Sequence, residues 1–350
     1  MDRIDFRSDT VSWPTPEMRE AMANAVVGDD VYGEDPTVNE LEALAAEKTG
    51  MEAALFVASG TMGNLLGILS HAGRGDAAIV GKDAHTYRYE AGGMAVLGGI
   101  MPTVLPTDEF GRMDLERVET AVSPQDPHFP ITRLILVENS YGSKHGYPLP
   151  PSYFSDMKTI ADRHGLALHM DGARLFNAAV AQGIDARQIT QHVDSVSICL
   201  SKGLCAPVGS VLCGSKELIA KAHRNRKLVG GGMRQAGILA AAGLISLTTM
   251  VDRLHEDHEH AHMLAQGLAQ IPGVVIDPQN VKTNLVFFHI SEAVDITAVE
   301  IGDQMREKAN IWAGDTGQKS FRAVTHYWIG EDEVQLYLDT LRHILERTIL

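Results

Sequence analysis

Cysteine is scarce: Cys199, Cys205 and Cys213 are the whole complement of 350 residues. An odd number crowded into one apolar region, at a spacing that matches no zinc motif, excludes a disulfide framework and a zinc finger. Buried free thiols in a reducing cytoplasm are expected instead, with no metal. Basic charge is also in short supply. Thirty Lys and Arg against 45 Asp and Glu give a net charge of −15, which argues against nucleic acid or an anionic membrane as partner. No apolar run approaches a membrane span, and Met1-Asp2-Arg3-Ile4-Asp5 leads into polar sequence without a signal-peptide core. Repeats, low-complexity tracts and flexible linkers are missing too. What is present, 45% hydrophobic and 21% charged residues, is the make-up of a globular enzyme with one large and one smaller domain.

The large part, residues 1–250 with an N-terminal arm over 1–35, opens on polar, turn-rich sequence with one short helix over 16–25. A helix over 38–48 follows, and then strand and helix patterns alternate. Strands are expected over 54–58, 77–80, 101–105, 133–137, 166–170 and 195–200, and helices over 62–72, 86–96, 114–121, 152–164 and 175–182. Short, nearly continuous apolar strands separated by helices predict an α/β fold with a mostly parallel sheet covered on both faces. From 251 to 350 the pattern becomes a smaller α+β unit, reached through helical patterns over 233–250 and 252–270. In the second of these, His255, His258, His260 and His262 sit among acids and are expected on a solvated face.

One stretch concentrates the chemistry. Val196-Ser197-Ile198-Cys199-Leu200-Ser201-Lys202 delivers a lysine from an apolar strand into a turn of small residues. Burying an ammonium is costly unless it is paired or neutralised, and a desolvated lysine is suited to Schiff-base chemistry. A strand-end lysine reaching to solvent is the plainer alternative. Upstream, Leu166–Met170 runs into Asp171, 31 residues before Lys202. An acid at one strand end and a lysine at another fit a pyridoxal phosphate site, the acid keeping the pyridine nitrogen protonated. Ser59-Gly60-Thr61-Met62-Gly63-Asn64, between a strand and a helix, is a candidate phosphate cradle, or simply an ordinary strand-to-helix turn. His85 is placed to lie on the cofactor ring or to serve as a loop cap. Arg174 opens a helix where a cation is unfavourable, so another partner is expected for it. Arg322, in a β-rich run, offers a forked guanidinium for a carboxylate. Ser8, Asp9 and Tyr32 lie in loops that fold over the site, and Arg234 is expected in the first turn of a helix opened by Gly230-Gly231-Gly232.

These words together resemble the low-specificity L-threonine and L-allo-threonine aldolases, pyridoxal phosphate enzymes of fold type I. The matching stretches are Phe6–Val11, Gly28–Pro36, Ser59–Asn64, His169–Arg174, Leu200–Ser210 and Gly230–Gln235, in the family's order. The resemblance implies that Lys202 holds the cofactor covalently as a Schiff base and that Asp171 pairs with its ring nitrogen. It gives Gly60 and Thr61 to the phosphate, and assigns His85 to ring stacking and the substrate hydroxyl. It puts His128 near that hydroxyl, and Ser8, Arg174 and Arg322 on the substrate carboxylate. Tyr32 and Arg234 would reach a neighbouring subunit's site, which implies a homo-oligomer, usually a dimer of dimers. The implied reaction is cleavage of L-threonine, L-allo-threonine or L-phenylserine to glycine and an aldehyde.

One segment departs from the family. After Val137-Glu138-Asn139 a Thr-His-Asn word is usual, whereas this chain reads Ser140-Tyr141-Gly142-Ser143. Tyr141 is therefore expected on the aldehyde side of the pocket. Rival readings are a β-eliminating lyase, a racemase, a transaminase and a non-catalytic cofactor-binding protein.

Overall fold

In the computed structural model, which describes residues 3–349, seven strands form one sheet. They are β1 (Ala53–Val57), β2 (Asp76–Gly81), β3 (Met101–Leu105), β4 (Ile131–Glu138), β5 (Ala167–Asp171), β6 (Ser195–Cys199) and β7 (Ser210–Gly214). Their order across the sheet is β1-β7-β6-β5-β4-β2-β3. β3, β2, β4, β5 and β6 run parallel, and β7 lies antiparallel to both its neighbours. The central strands are buried along most of their length, as expected for a parallel sheet sandwiched between helices. The register sets Glu138 beside Asp171 and Asp171 beside Ser197. Two acids thus lie side by side at the carboxyl ends of the strands, where ligands of such sheets gather.

The helices on the faces start and stop on local chemistry. Ser59 caps Gly60–His71 by accepting from the Met62 amide, and Asp35 caps Pro36–Thr49 by accepting from Thr37 and Val38. The helix expected over 86–96 is broken in two, His85–Arg88 and Gly93–Val96, with Gly92 between them at φ 68°. Tyr89 closes the first helix and the left-handed Gly92 opens the second, a break that periodicity alone does not reveal.

A second apolar core gathers residues of the helices Leu254–Leu268, Ala298–Ala309 and Glu331–Ile349 with the strands Leu285–Ile290 and Ser320–Val324. Phe6 of the arm enters this core, and Ile4–Asp5 pairs with Ile311–Trp312, so the start of the chain is stitched to its last third. The helical pattern over 233–250 begins only at Gly237, so Arg234 stands in the preceding turn rather than in a helix. The histidine helix is not wholly solvated: His258 is buried and meets the Asn177 amide at 3.2 Å, because this helix packs on Leu175–Gln182. Among the described residues no single helix is long and apolar enough to cross a membrane. The three cysteines are buried free thiols.

Candidate active site

At the carboxyl ends of β2, β4, β5 and β6 a cavity of about 360 Å³ is lined by Ser8, His85, Asp171, Arg174, Lys202 and Arg322, together with Glu138 and Tyr89. Larger hollows lie elsewhere on the surface. This one brings together Asp83, His85, Glu138, Asp171 and Lys202 from the ends of four strands.

Lys202 follows β6 in a turn held by two hydrogen bonds to its carbonyl, from Ser12 Oγ at 2.9 Å and from the Cys205 amide at 2.9 Å. Its ammonium enters the cavity and makes no ion pair among the described residues. Asp171, the last residue of β5, is buried. Its Oδ1 accepts from the Ala173 amide at 3.0 Å and its Oδ2 from Asn64 Nδ2 at 2.9 Å. Each oxygen keeps acceptor capacity for one further donor.

His85 begins the short helix after β2. Its amide donates to Glu138 Oε2 at 2.8 Å, its Nδ1 lies 2.9 Å from Glu90 Oε1, and the same Nδ1 is 3.9 Å from Asp171 Oδ2. The hydrogen bond to Glu90, against the opposing effect of burial, raises its pKa, and Asp171 adds to the rise. Glu138 is buried and pushed up to about 7, first by desolvation and then by the Asp171 charge. His85, Glu90 and Asp171 have a spacing that a cation could use. Donors from Asn64 and His85 already tie the two carboxylates together, so the group is a hydrogen-bonded cluster.

The two arginines differ. Arg174 caps the helix Leu175–Gln182, and Asp9 is the partner that offsets this unfavourable place for a cation: Nε and Nη2 both meet its carboxylate at 2.7 Å. Burial disfavours the charge on Asp9, but Arg174 outweighs it and holds the carboxyl well below the usual range. Arg322 is the freer one. Its Nη2 donates to the Arg7 carbonyl at 3.1 Å, its Nε is buried without a partner, and it enters no ion pair among the described residues. Burial and the neighbouring Arg174 lower its pKa. A buried guanidinium edge with nothing to donate to is suited to an incoming carboxylate.

Several expected residues lie outside the cavity. Gly60 and Thr61 begin the helix whose next turn carries Asn64 to Asp171, and their amides have no intrahelical acceptor. They are not part of the lining. Tyr32 is 72% exposed, and Arg234 sits 5.9 Å over its ring while bound to Asp29 at 2.8 Å. His128 is turned to solvent in the loop before β4, paired with Asp126, at the amino end of the strands and so on the opposite side of the sheet from Lys202. Tyr141 is a correction. Its side chain is buried behind Glu138, against Gly81, Gly111 and Tyr153, because Gly111 leaves no side chain in its way. Gly142 and Ser143, not Tyr141, face the cavity.

Sequence reasoning missed Asn64, Glu90 and Glu138 as site residues, and it placed Asp9 near the site without finding its partner. Asn64 is tied to Asp171 across 107 residues, Glu138 to His85 across 53 and Asp9 to Arg174 across 165, while Glu90 meets His85 only because the chain breaks its helix between Arg88 and Gly93. The one hint was the unfavourable placement of Arg174.

The profile of the beta-eliminating lyases matches residues 5–292. A probable low-specificity L-threonine aldolase of Arabidopsis thaliana is 45% identical over 97% of each chain. The low specificity L-threonine aldolase of Escherichia coli (strain K12) is 44% identical over 95% of this chain and 96% of its own. A solved threonine aldolase of Leishmania major, at 19% identity, superposes with a TM-score of 0.81 over 98% of this chain and 99% of that one, which shows that the two share a fold. This chain belongs to the beta-eliminating lyase family, with the low-specificity L-threonine aldolases.

Proposed function

We propose that the protein is a pyridoxal phosphate-dependent aldolase that cleaves L-threonine, L-allo-threonine and related β-hydroxy-α-amino acids to glycine and an aldehyde. The observation that carries this reading is the unpaired Lys202 ammonium in one cavity with Asp171, His85 and the partly unsatisfied Arg322. These residues fit the cofactor. Lys202 would hold the aldehyde, Asp171 has acceptor capacity for the ring N–H, and the open amides of Gly60 and Thr61 suit a phosphate. When bound, pyridoxal phosphate supplies a ring that accepts the electrons of the breaking Cα–Cβ bond.

The chain's own residues do the rest. Arg322 grips the α-carboxylate through its free Nε edge, and Ser8 lies beside it in the lining. Arg174, held by Asp9, keeps Nη1 turned towards Gly142 and the cavity. His85, with Nδ1 engaged by Glu90, presents Nε2 to take the β-hydroxyl proton. Lys202 Nζ is the amine in the lining that can return a proton to Cα, so glycine and aldehyde form without a redox change.

Exposed Tyr32 and Arg234 support a shared-site homo-oligomer, a dimer or a dimer of dimers, in which they serve a second copy. The second core, which the arm joins through Phe6 and which otherwise draws on residues after 250, supports a division into a large domain over 1–250 and a small one over 251–350. Three free thiols fit a cytoplasmic setting. The test is product analysis with cofactor-loaded protein and L-threonine. Glycine and acetaldehyde in equal amounts are expected. Ammonia and a keto acid would make it a β-eliminating lyase and overturn the reading.

A further inference from the structure

A line of hydrogen bonds leaves Asp171 and runs back along one face of the sheet, between β5 and the helix Gly60–His71, away from the cavity. Asn64 Nδ2 donates to Asp171 Oδ2 at 2.9 Å and to Glu90 Oε1 at 2.8 Å. Behind it, His169 Nε2 is 3.3 Å from Asn64 Oδ1, His169 Nδ1 is 2.8 Å from Ser195 Oγ, and His71 Nε2 is 2.8 Å from the same oxygen. None of Asn64, His169, Ser195 and His71 lines the cavity.

The chemistry of the groups orients the whole line. Two carboxylates can only accept from Asn64, so both its amide hydrogens face them and Oδ1 faces His169. That oxygen cannot donate, so the proton of the His169 ring sits on Nε2. The other tautomer would set a ring lone pair against the amide oxygen. The ring is neutral, since it is buried, touches no carboxylate and is pushed down to about 3 by burial and by His71. Its Nδ1 therefore accepts from the Ser195 hydroxyl, whose oxygen accepts from His71 Nε2–H. His71 is itself pushed down to about 4 by burial.

The helix Gly60–His71 is shaped for this line. Asn64, Gly67 and His71 fall on one face at i, i+3 and i+7. A Cβ at Gly67 would lie 2.5 Å from His169 Cε1, so the ring rests on bare backbone.

We propose that His71, Ser195, His169 and Asn64 form a one-directional hydrogen-bonded relay of positioning residues that holds Asp171 oriented to meet the cofactor ring nitrogen. Through Glu90, the same Asn64 ties Asp171 to His85, so one amide sets the relation between the acid and the histidine of the site. The proposal rests on the reading of Asp171 given above, and its test separates the two.

The first arm needs no cofactor. In protein labelled with ¹⁵N-histidine, with signals assigned through His169→Gln and His71→Gln, both rings are expected as neutral Nε2–H tautomers at neutral pH. An Nδ1–H tautomer or an imidazolium at His169 overturns the relay whatever the protein catalyses. The second arm uses holoenzyme carrying pyridoxal phosphate with a ¹⁵N ring nitrogen. His169→Phe keeps the bulk but removes the donor. It should move the ring signal towards the unprotonated position and lower kcat about tenfold, one decade of rate, with little change in KM. His169→Gln, which restores an N–H near Nε2, should recover most of both. Where His169→Phe does not fold, Ser195→Ala takes its place and should mix the His169 tautomers and shift the ring signal in the same direction. Parent-like ring signal and kcat in the folded Phe variant, or parent-like tautomer and ring signal in Ser195→Ala, overturn the proposal. Asp171→Asn in the same spectrum is the control: an unmoved ring signal there would refute the assignment of Asp171 itself.

Discussion

Arg174 and Asp9 are joined by two contacts of 2.7 Å across 165 residues of sequence, both side chains buried. The pair fastens the N-terminal arm to the strand end that carries Asp171. Asn284 Nδ2 adds a third donor to Asp9 at 3.2 Å from the C-terminal part. Asp9→Ala would strand a buried guanidinium, and a loss of about 3–5 kcal/mol in unfolding free energy is expected. The pH dependence has a definite sign. Asp9 is held below its ordinary value, so its stabilisation is fully present above about pH 4, near the unfolded pKa, and is lost as pH falls towards the lower folded value. Denaturant unfolding of the parent and of Asp9→Asn across the acid range checks this: the variant should lack that part of the acid-side slope.

Arg322 carries a prediction about substrate. Removing a buried guanidinium that binds a carboxylate costs about 2 kcal/mol or more, a factor of about 30 in kcat/KM. Arg322→Ala should show that loss with L-threonine, mostly in KM. The parent's preference for amino acids over the matching amino alcohols should shrink by the same factor. Equal loss with both substrate types would mean that Arg322 does not meet the carboxylate.

Glu90 sets a pH limit. Its hydrogen bond is the largest influence raising the His85 pKa, and a proton-accepting His85 works only when neutral. Activity should therefore rise with pH through the His85 titration, with the midpoint above the ordinary imidazole value of about 6.5. Glu90→Gln should move this acid limb of the kcat/KM profile to lower pH. A limb that stays in place would give the titration to another group.

Tyr141 is predicted to be structural. Its hydroxyl is buried without a hydrogen-bond partner, so Tyr141→Phe removes an unsatisfied group worth about 1–3 kcal/mol. Unfolding should show a gain in stability of that order or less. The ratio of kcat/KM for L-threonine and L-phenylserine should stay within about twofold of the parent, under 0.5 kcal/mol.

Much of this site was legible in the chain itself, for definite physical reasons. Fully buried parallel strands are short apolar runs, so β4, β5 and β6 could be located to within about two residues at each end, and with them the strand-end acid Asp171. A lysine inside such a run, and an arginine at the wrong end of a helix, both announced a cost that something must offset. Partners distant in sequence were not legible. Asn64 meets Asp171 across 107 residues, and neither residue's neighbours indicate the other. Tyr141 was misplaced because a strand-end loop has no periodicity to say which side chains turn inward; the bare backbone of Gly111 decides that. His128 was assigned by a word match, and within one chain the sheet keeps it on the far side from Lys202.

The central claim is that Lys202 is the covalent anchor of the cofactor. Borohydride reduction of the pyridoxal phosphate-loaded protein, followed by peptide mass mapping, tests it most directly. The account predicts a pyridoxyl group on the peptide containing Lys202, and no such label and no turnover in Lys202→Ala. A label on another lysine, or full turnover in Lys202→Ala, would contradict it.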